Sequence, residues 1–233
     1  TMADESIDKL PANHPAKKNP SWVVKHGNKY YYDPGLPEVR KYIVDSIAEV
    51  VQNYDIDGVH FDDYFYPGVS FNDTATYQKY GKGQNKDNWR RENVNTLLRD
   101  VKASIKSIKP NVVFGVSPAG IWRNKSSDPT GSDTSGNESY VGTYADTRAW
   151  IKQGLIDYVV PQLYWPIGLK AADYSKLVAW WANEVKGTNV DLYIGQGIYK
   201  QGQSSYGGQN IAKEIVQQVT LNRKYSEIKG SMY

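Results

Sequence analysis

Asp57-Gly58-Val59-His60-Phe61-Asp62-Asp63-Tyr64-Phe65-Tyr66-Pro67 decides how the rest of the chain is read. The segment from Asp57 to Asp62 reads as a strand, with Asp57 as the turn residue that opens it, and Pro67-Gly68 marks the loop beyond. Side chains alternate across a strand, so His60 and Asp62 share one face and Phe61 and Asp63 take the other. If the strand stops at Asp62, Asp63 can turn back toward its neighbour. Two carboxylic acids then stand together at the C-terminal end of a strand.

Working outward, elements alternate in type. Upstream, Pro37 suits a first helical position, and Val39, Ile43, Ile47, Val50 and Val51 recur at helical spacing, which predicts a helix over 37–53. Downstream, Val94, Leu97, Leu98, Val101 and Ile105 predict a long helix over 87–108. A strand follows at 112–117, then a helix at 144–153, a strand at 158–163, a helix at 173–186, a strand at 191–195 and a helix at 208–224. Residues 229–233 look like one more strand. Residues 1–36, punctuated by Pro11, Pro15, Pro20 and Pro34, read as irregular, and 124–142 reads as a long loop of the lid or binding type.

Strand–helix alternation means parallel strands joined by helical crossovers, in an open doubly wound sheet or a (β/α) barrel. No strand runs into a glycine-rich dinucleotide turn or a phosphate loop. The strands end instead on Asp62-Asp63-Tyr64, Ser117-Pro118, Gln162-Leu163-Tyr164-Trp165 and Gln196-Gly197-Ile198-Tyr199. Barrel enzymes gather their chemistry at such ends, so the expected fold is α/β, a (β/α)8 TIM-type barrel. Five strands cannot close it. The chain is therefore expected to be the C-terminal part, strands four to eight, of one catalytic barrel domain.

Composition narrows the chemistry. With 233 residues there is length for one domain with a sizeable core, and a net charge of +3 gives no strong drive toward nucleic acid. No apolar run approaches transmembrane length, and the start, Thr1-Met2-Ala3-Asp4, is not a signal peptide. The absence of cysteine removes disulfides, thiolate metal sites and a cysteine nucleophile. There are 19 Tyr and 7 Trp against 4 Phe, an excess of flat apolar faces with polar handles that suits sugar binding, although a tyrosine-rich core has the same composition.

Paired carboxylates at a strand end are what glycoside hydrolysis needs, one as nucleophile or stabiliser and one as acid, and mutual repulsion raises one pKa. Asp62 and Asp63 are the candidate catalytic residues; the plainer reading has one of them capping the following turn. His60 is assigned to substrate positioning or to tuning Asp62. Substrate contacts are expected from Tyr64, Tyr66, Ser117, Trp122, Arg123, Gln162, Tyr164, Trp165, Gln196 and Tyr199. Trp165 is placed to stack on a sugar, Tyr164 to donate to developing charge, and Trp122-Arg123, at the start of the long loop, to close over the substrate. Packed aromatics at the rim would look the same. Trp89, Trp150, Trp180 and Trp181 lie on helices and read as core. No metal or cofactor is expected.

These segments also carry a family resemblance. Asp57 to Pro67, Phe114-Gly115-Val116-Ser117-Pro118, Val160-Pro161-Gln162-Leu163-Tyr164-Trp165 and Tyr32-Asp33-Pro34-Gly35-Leu36-Pro37-Glu38-Val39-Arg40 together resemble the glycosyl hydrolase-like 10 family, in order and over nearly the whole chain. The resemblance implies a (β/α)8 barrel in exported or envelope-associated bacterial proteins, hydrolysing glycan strands, with peptidoglycan stripped of its peptides as one substrate. It makes 57–62 strand four. Asp-Gly-x-x-x-Asp on that strand is similar to alpha-amylase-like enzymes, where the last Asp, here Asp62, is the nucleophile. Chitinase-like family 18 enzymes carry Asp-Gly-x-Asp-x-Asp-x-Glu; this chain departs from it with His60 and Tyr64. Strand five lacks the Glu of amylase-like enzymes, which leaves the acid open between Asp63 and a residue upstream. Two rivals stand beside the hydrolase: a glycan-binding barrel without catalysis, and a metal-dependent polysaccharide deacetylase, for which His14, His26 and His60 do not supply the helical histidine spacing.

Overall fold

Residues 6–203 and 210–233 are described by a computed structural model of the chain. The structure resolves two compact units, the first taking in Thr1–Ile56, Tyr64–Asn111 and Val141–Ala145, the second Asp57–Asp63, Val112–Tyr140 and Asp146–Tyr233.

The first unit carries α1 (Pro15–Lys18), a hairpin of β1 (Val23–His26) and β2 (Lys29–Tyr32), α2 (Pro37–Asn53), α3 (Thr74–Tyr80) and α4 (Lys86–Ile108). Helix α2 starts on Pro37, as its sequence predicts, and buries Val39 and Val51. Helix α4 is capped by the Asn85 side chain, which accepts from Asn88 N–H at 3.0 Å. Its stripe of Val94, Leu97, Leu98, Val101 and Ile105 is buried throughout, each side chain contributing about 1.5–3 kcal/mol. Four of these elements escape the sequence reading, the short α1 among them. The 1–36 stretch contains the hairpin, turned at Gly27-Asn28, where Gly27 adopts a φ of 60° that other residues resist. The loop after Pro67 contains α3.

A buried ion pair organises this unit. Arg90 donates Nε–H to Asp73 Oδ2 at 2.8 Å and Nη2–H to Asp73 Oδ1 at 2.6 Å, and it also donates to Val69 O, Phe71 O and the Tyr144 hydroxyl. Lys86 reaches the same carboxylate at 2.8 Å. Burial would raise the Asp73 pKa, but hydrogen bonds and charge from Arg90 and Lys86 outweigh it and hold the carboxyl below its ordinary range. Tyr144 has a φ of 57°, a strained conformation for a bulky residue that costs about 1 kcal/mol or more; Arg90 grips its hydroxyl at 2.7 Å.

The second unit is a parallel sheet of β3 (Gly58–Phe61), β4 (Val113–Val116), β5 (Tyr158–Val159), β6 (Asp191–Gly195) and β7 (Ile228–Met232), in the order β3-β4-β5-β6-β7. Helix α5 (Ser139–Gly142) has its first two residues in this unit and its last two in the first, and α6 (Thr147–Lys152), α7 (Tyr174–Val185) and α8 (Ile211–Asn222) fall between the strands. Asp146, Asp173 and Asn210 cap α6, α7 and α8 through their side chains. The expected helix over 208–224 is seen from Ile211 to Asn222; 208 and 209, like Thr1-Met2-Ala3-Asp4, lie outside the described residues. The barrel expectation resolves to mixed α/β with a five-stranded parallel sheet, and among the described residues β3 and β7 are its unpaired edges.

Alternation gives this sheet two different faces. Val59, Phe114, Val116, Val159, Leu192 and Ile194 are buried on one, and α7 adds Leu177, Val178 and Trp181 to the core. The other carries His60, Gly115, Tyr158 and Tyr193. Beyond Val159 the expected strand to 163 stops being regular, because Pro161 has no N–H to donate. Gln162 then survives as single bridges to Ala119 and Gly195.

Candidate functional site

Strand β3 ends at Phe61, so Asp62 and Asp63 sit in the bend just past it. Asp62 Oδ1 accepts from the Asp63 backbone N–H at 3.1 Å and from Gln162 Nε2 at 3.0 Å. Gln162 Nε2 also donates to Ser117 O at 2.9 Å, which fixes the amide between the ends of β3, β4 and β5. The Asp63 carboxyl lies against both the Gln162 amide and the Asp62 carboxyl. Asp63 has therefore turned back toward its neighbour, as the short strand allows.

The pair is electrostatically uneven. Asp63 has its pKa raised, first by burial and second by the charge of Asp62, with hydrogen bonds from its backbone and Gln162 only partly offsetting them. A carboxyl with a raised pKa beside an exposed second carboxyl is the arrangement in which two like groups can take opposite roles. His60 stacks on Tyr158 with ring centroids 5.8 Å apart, and its Nδ1 is 3.1 Å from the Tyr158 hydroxyl. Burial pulls its pKa down and the Asp62 charge pushes partly back, so His60 is a neutral neighbour that senses Asp62. Gly115 makes this stack possible: a Cβ there would come within 2.3 Å of the Tyr158 ring.

The aromatic wall comes from the ends of β5 and β6. Tyr164 meets Tyr199 edge-on at 5.6 Å, and its phenol is held above its ordinary pKa by burial, then by Asp62, Tyr199 and Asp63. Trp165 is half-buried over Gly120, and Tyr199 is exposed.

The other expected sugar contacts are placed differently. Tyr66 is 1% exposed in the first unit, where its hydroxyl accepts from Asn93 Nδ2 at 3.2 Å, and Tyr64 is exposed in that same unit. Gln196 is 2% exposed on the helix-facing side of β6 and donates to Gln218 Oε1 at 3.0 Å. Ser117 is buried, and its hydroxyl donates to Val160 O at 2.9 Å. The hydroxyls of Tyr66 and Ser117 and the Nε2 of Gln196 are thus engaged inside the protein, while Gln196 Oε1 is buried without a hydrogen-bond partner among the described residues. Trp122 is buried between Trp180, stacked at 6.1 Å, and the Arg148 guanidinium 4.7 Å from its ring. Trp180, expected in the core, is half-exposed as the outer member of this stack. Arg123 pairs with Asp128 at 3.1 Å and with Glu138 at 3.6 Å. Asn124 stitches the loop behind it, accepting from Gly136 N–H and Thr134 and donating to Gly136 O and Glu138. This loop is a cross-braced structural element.

Over residues 1–211 the chain matches the family described as Glycosyl hydrolase-like 10. It belongs to that family. It is 51% identical over 240 aligned positions to "Glycosyl hydrolase YngK" of Bacillus subtilis (strain 168), covering 100% of this chain and 47% of the relative. It is 48% identical over 223 positions to "Glycosyl hydrolase DigH" of Escherichia coli (strain K12), covering 91% of this chain and 50% of the relative. The chain thus spans about half the length of the curated relatives it matches. Among solved structures, "Alpha-L-fucosidase isoenzyme 2 from Paenibacillus thiaminolyticus" is similar over 83% of this chain and 28% of its own, at 15% identity and a TM-score of 0.47, too slight a likeness to carry an argument.

Three residues around this candidate site escape the sequence reading. Lys200 is buried and donates from Nζ to Tyr164 O. Tyr158 partners His60. Gln218, on α8, bonds the Trp165 carbonyl. Only Gln218 leaves a signal in the sequence, as a polar residue seven positions after Ile211 on the helix's buried side. Among the described residues, no group of three His, Asp or Glu side chains is placed to hold a metal ion, and no helix is long and apolar enough to cross a membrane.

Proposed function

We propose that this chain is the acid-bearing part of a glycoside hydrolase that cleaves a bacterial cell-envelope polysaccharide, the glycan strands of peptidoglycan being the first candidate. The observation that carries the proposal is the Asp62–Asp63 pair, whose members share Gln162 and lie against each other, so that burial and the Asp62 charge raise the Asp63 pKa above that of an ordinary aspartate. Membership of a glycosyl hydrolase-like family supports the reaction class. In this reading Asp62 acts on the anomeric side, as nucleophile or as partner to a substrate acetamido group, and Asp63 is the general acid. Tyr164, Trp165 and Tyr199 hold the sugar rings, and His60 sets the surroundings of Asp62.

The sheet supports a barrel reading. Its five strands are all parallel and sequential, polar residues cluster past their C-terminal ends, and β3 and β7 are free to pair further. In the full-length protein, three further strands would close it into a (β/α)8 barrel. Export to the cell envelope fits a polysaccharide of that compartment.

The test is mass spectrometry of peptidoglycan glycan strands incubated with the full-length protein and with Asp62→Asn. Product from the wild type and a fall of about 10³-fold or more in the variant, with glycan binding kept, is the expected result. Wild-type turnover by Asp62→Asn removes the assignment. Binding with no product from the wild type establishes the glycan-binding alternative instead.

A further inference from the structure

The segment after β5 is held by side chains from distant parts of the second unit. Leu163 N–H still donates to Gly195 O at 2.9 Å, the last backbone tie to β6. Beyond it, Lys200 Nζ donates to Tyr164 O, Gln218 Nε2 donates to Trp165 O at 3.1 Å, and Ile167 N–H donates to Glu214 Oε1 at 2.7 Å. Gln218 joins these ties together. Its Nε2 also donates to Glu214 Oε1 at 3.0 Å, and its Oε1 accepts from Gln196 Nε2 at 3.0 Å.

Gln218 is 3% exposed, and its whole amide is engaged. A flipped amide would set its oxygen against Trp165 O and Glu214 Oε1 and its NH2 against that of Gln196, so the orientation is fixed by its neighbours. Burying an amide is tolerable only with its bonds made. On the face of α8 that carries Ile211, an apolar side chain would fill the same space without that condition, and it would leave the Trp165 carbonyl untied.

We propose that Gln218 is a positioning residue of the glycan site: by holding the Trp165 carbonyl and orienting Glu214, it fixes the backbone that carries the Tyr164 phenol and the Trp165 ring. The inference rests on the reading of Asp62 and Asp63 as the catalytic pair. The phenol it positions is the one that feels both acids. Gln218 reaches no sugar itself and acts through residues 164–167.

The test uses the full-length protein carrying Gln218→Met, which keeps the volume and removes the amide, with Val216→Ala on the exposed side of the same helix as control. Displacement of a positioned group by about 1 Å costs up to 10²-fold, so kcat/KM on glycan strands should fall about tenfold to 10²-fold in Gln218→Met, including a rise in KM as Trp165 leaves the sugar. Amide hydrogen exchange should quicken at least about tenfold at 164–169 and stay at the wild-type rate at 113–116. Val216→Ala should match the wild type in both. A merely structural role lowers the amount of active enzyme and leaves KM alone, so an unchanged KM in folded Gln218→Met overturns the proposal. If the wild type releases no product, the hydrolase reading fails on its own account; exchange then decides the hold, and an unchanged rate at 164–169 overturns it.

Discussion

Two aspartates, Asp73 and Asp63, are both withdrawn from solvent, one fully and one in part, and their pKa values are pushed in opposite directions. Asp73 is enclosed by cations: Arg90 grips it through two nitrogens and Lys86 adds a third contact, so it stays ionised at the cost of all its reactivity. Asp63 meets an amide and another carboxyl, so burial and repulsion push the same way and its pKa is raised. Asp73 is fully buried and Asp63 half-buried, so depth alone would raise Asp73 more; the neighbours decide. A carboxylate answered by cations is a structural pin, whereas one answered by a second carboxylate is poised for proton transfer.

The largest effect should come from breaking the pin. Arg90→Met leaves Asp73 buried with Lys86 alone and strips Val69 O, Phe71 O and the Tyr144 hydroxyl of their donor. Removing one partner of a buried pair costs about 3–5 kcal/mol, and Tyr144 also loses the grip that holds its strained backbone. For a chain of this size each kcal/mol lowers Tm by roughly 2–4 °C, so a drop of about 6–20 °C is expected by thermal unfolding. A change under about 1 kcal/mol would mean that the ion pair is not what holds this unit.

A smaller effect should follow from crowding the face beside the acid pair. In Gly115→Ala the new Cβ would sit 2.3 Å from the Tyr158 ring, so the ring must move and its contact with His60 at 3.1 Å must break. Overpacking of this kind costs about 1–3 kcal/mol. The measurement is the His60 titration by proton NMR together with Tm: loss of the stack rehydrates the imidazole and raises its pKa toward the ordinary value. An unmoved His60 titration with an unmoved Tm would show that Tyr158 does not shield it.

What was legible in the sequence follows the same division. Helices α2, α4 and α7, the five-strand parallel order and the acid pair were readable because apolar spacing and residue type are local signals. The β1–β2 hairpin was also local, in Gly27-Asn28 flanked by Val23-Val24 and Tyr30-Tyr31-Tyr32, but the prolines around it masked the pattern. Tyr66 and Gln196 looked like sugar contacts because they follow a strand, and strand phase decides otherwise: Gln196 shares its face with Leu192 and Ile194. The groups that hold these carboxyls, Arg90 for Asp73 and Gln162 for Asp62, come from other elements, and Gln162 lies 100 positions from Asp62. Such pairings exist only once the chain has folded.

The smallest effect is the sharpest probe of the comparison, because it moves one charge and little else. Asp62→Asn keeps the shape and removes the repulsion, so the titration midpoint of Asp63, followed by carbon NMR of its carboxyl, should move down. It should not reach the ordinary aspartate value, since burial is the larger cause and remains. The two aspartates also bend the stability curve in opposite directions. Asp63, with its pKa raised on folding, contributes stability that is full below the unfolded value of about 3.9 and is lost as pH rises through the raised one. Asp73, with its pKa lowered, contributes stability present above that same value and lost as pH falls through the depressed one. Asp62→Asn should therefore relieve the loss on the high side of the Asp63 midpoint and leave the acid limb set by Asp73 in place. If the Asp63 midpoint stays where it is in the wild type, the charge of Asp62 does not raise it, and burial alone would have to account for the shift.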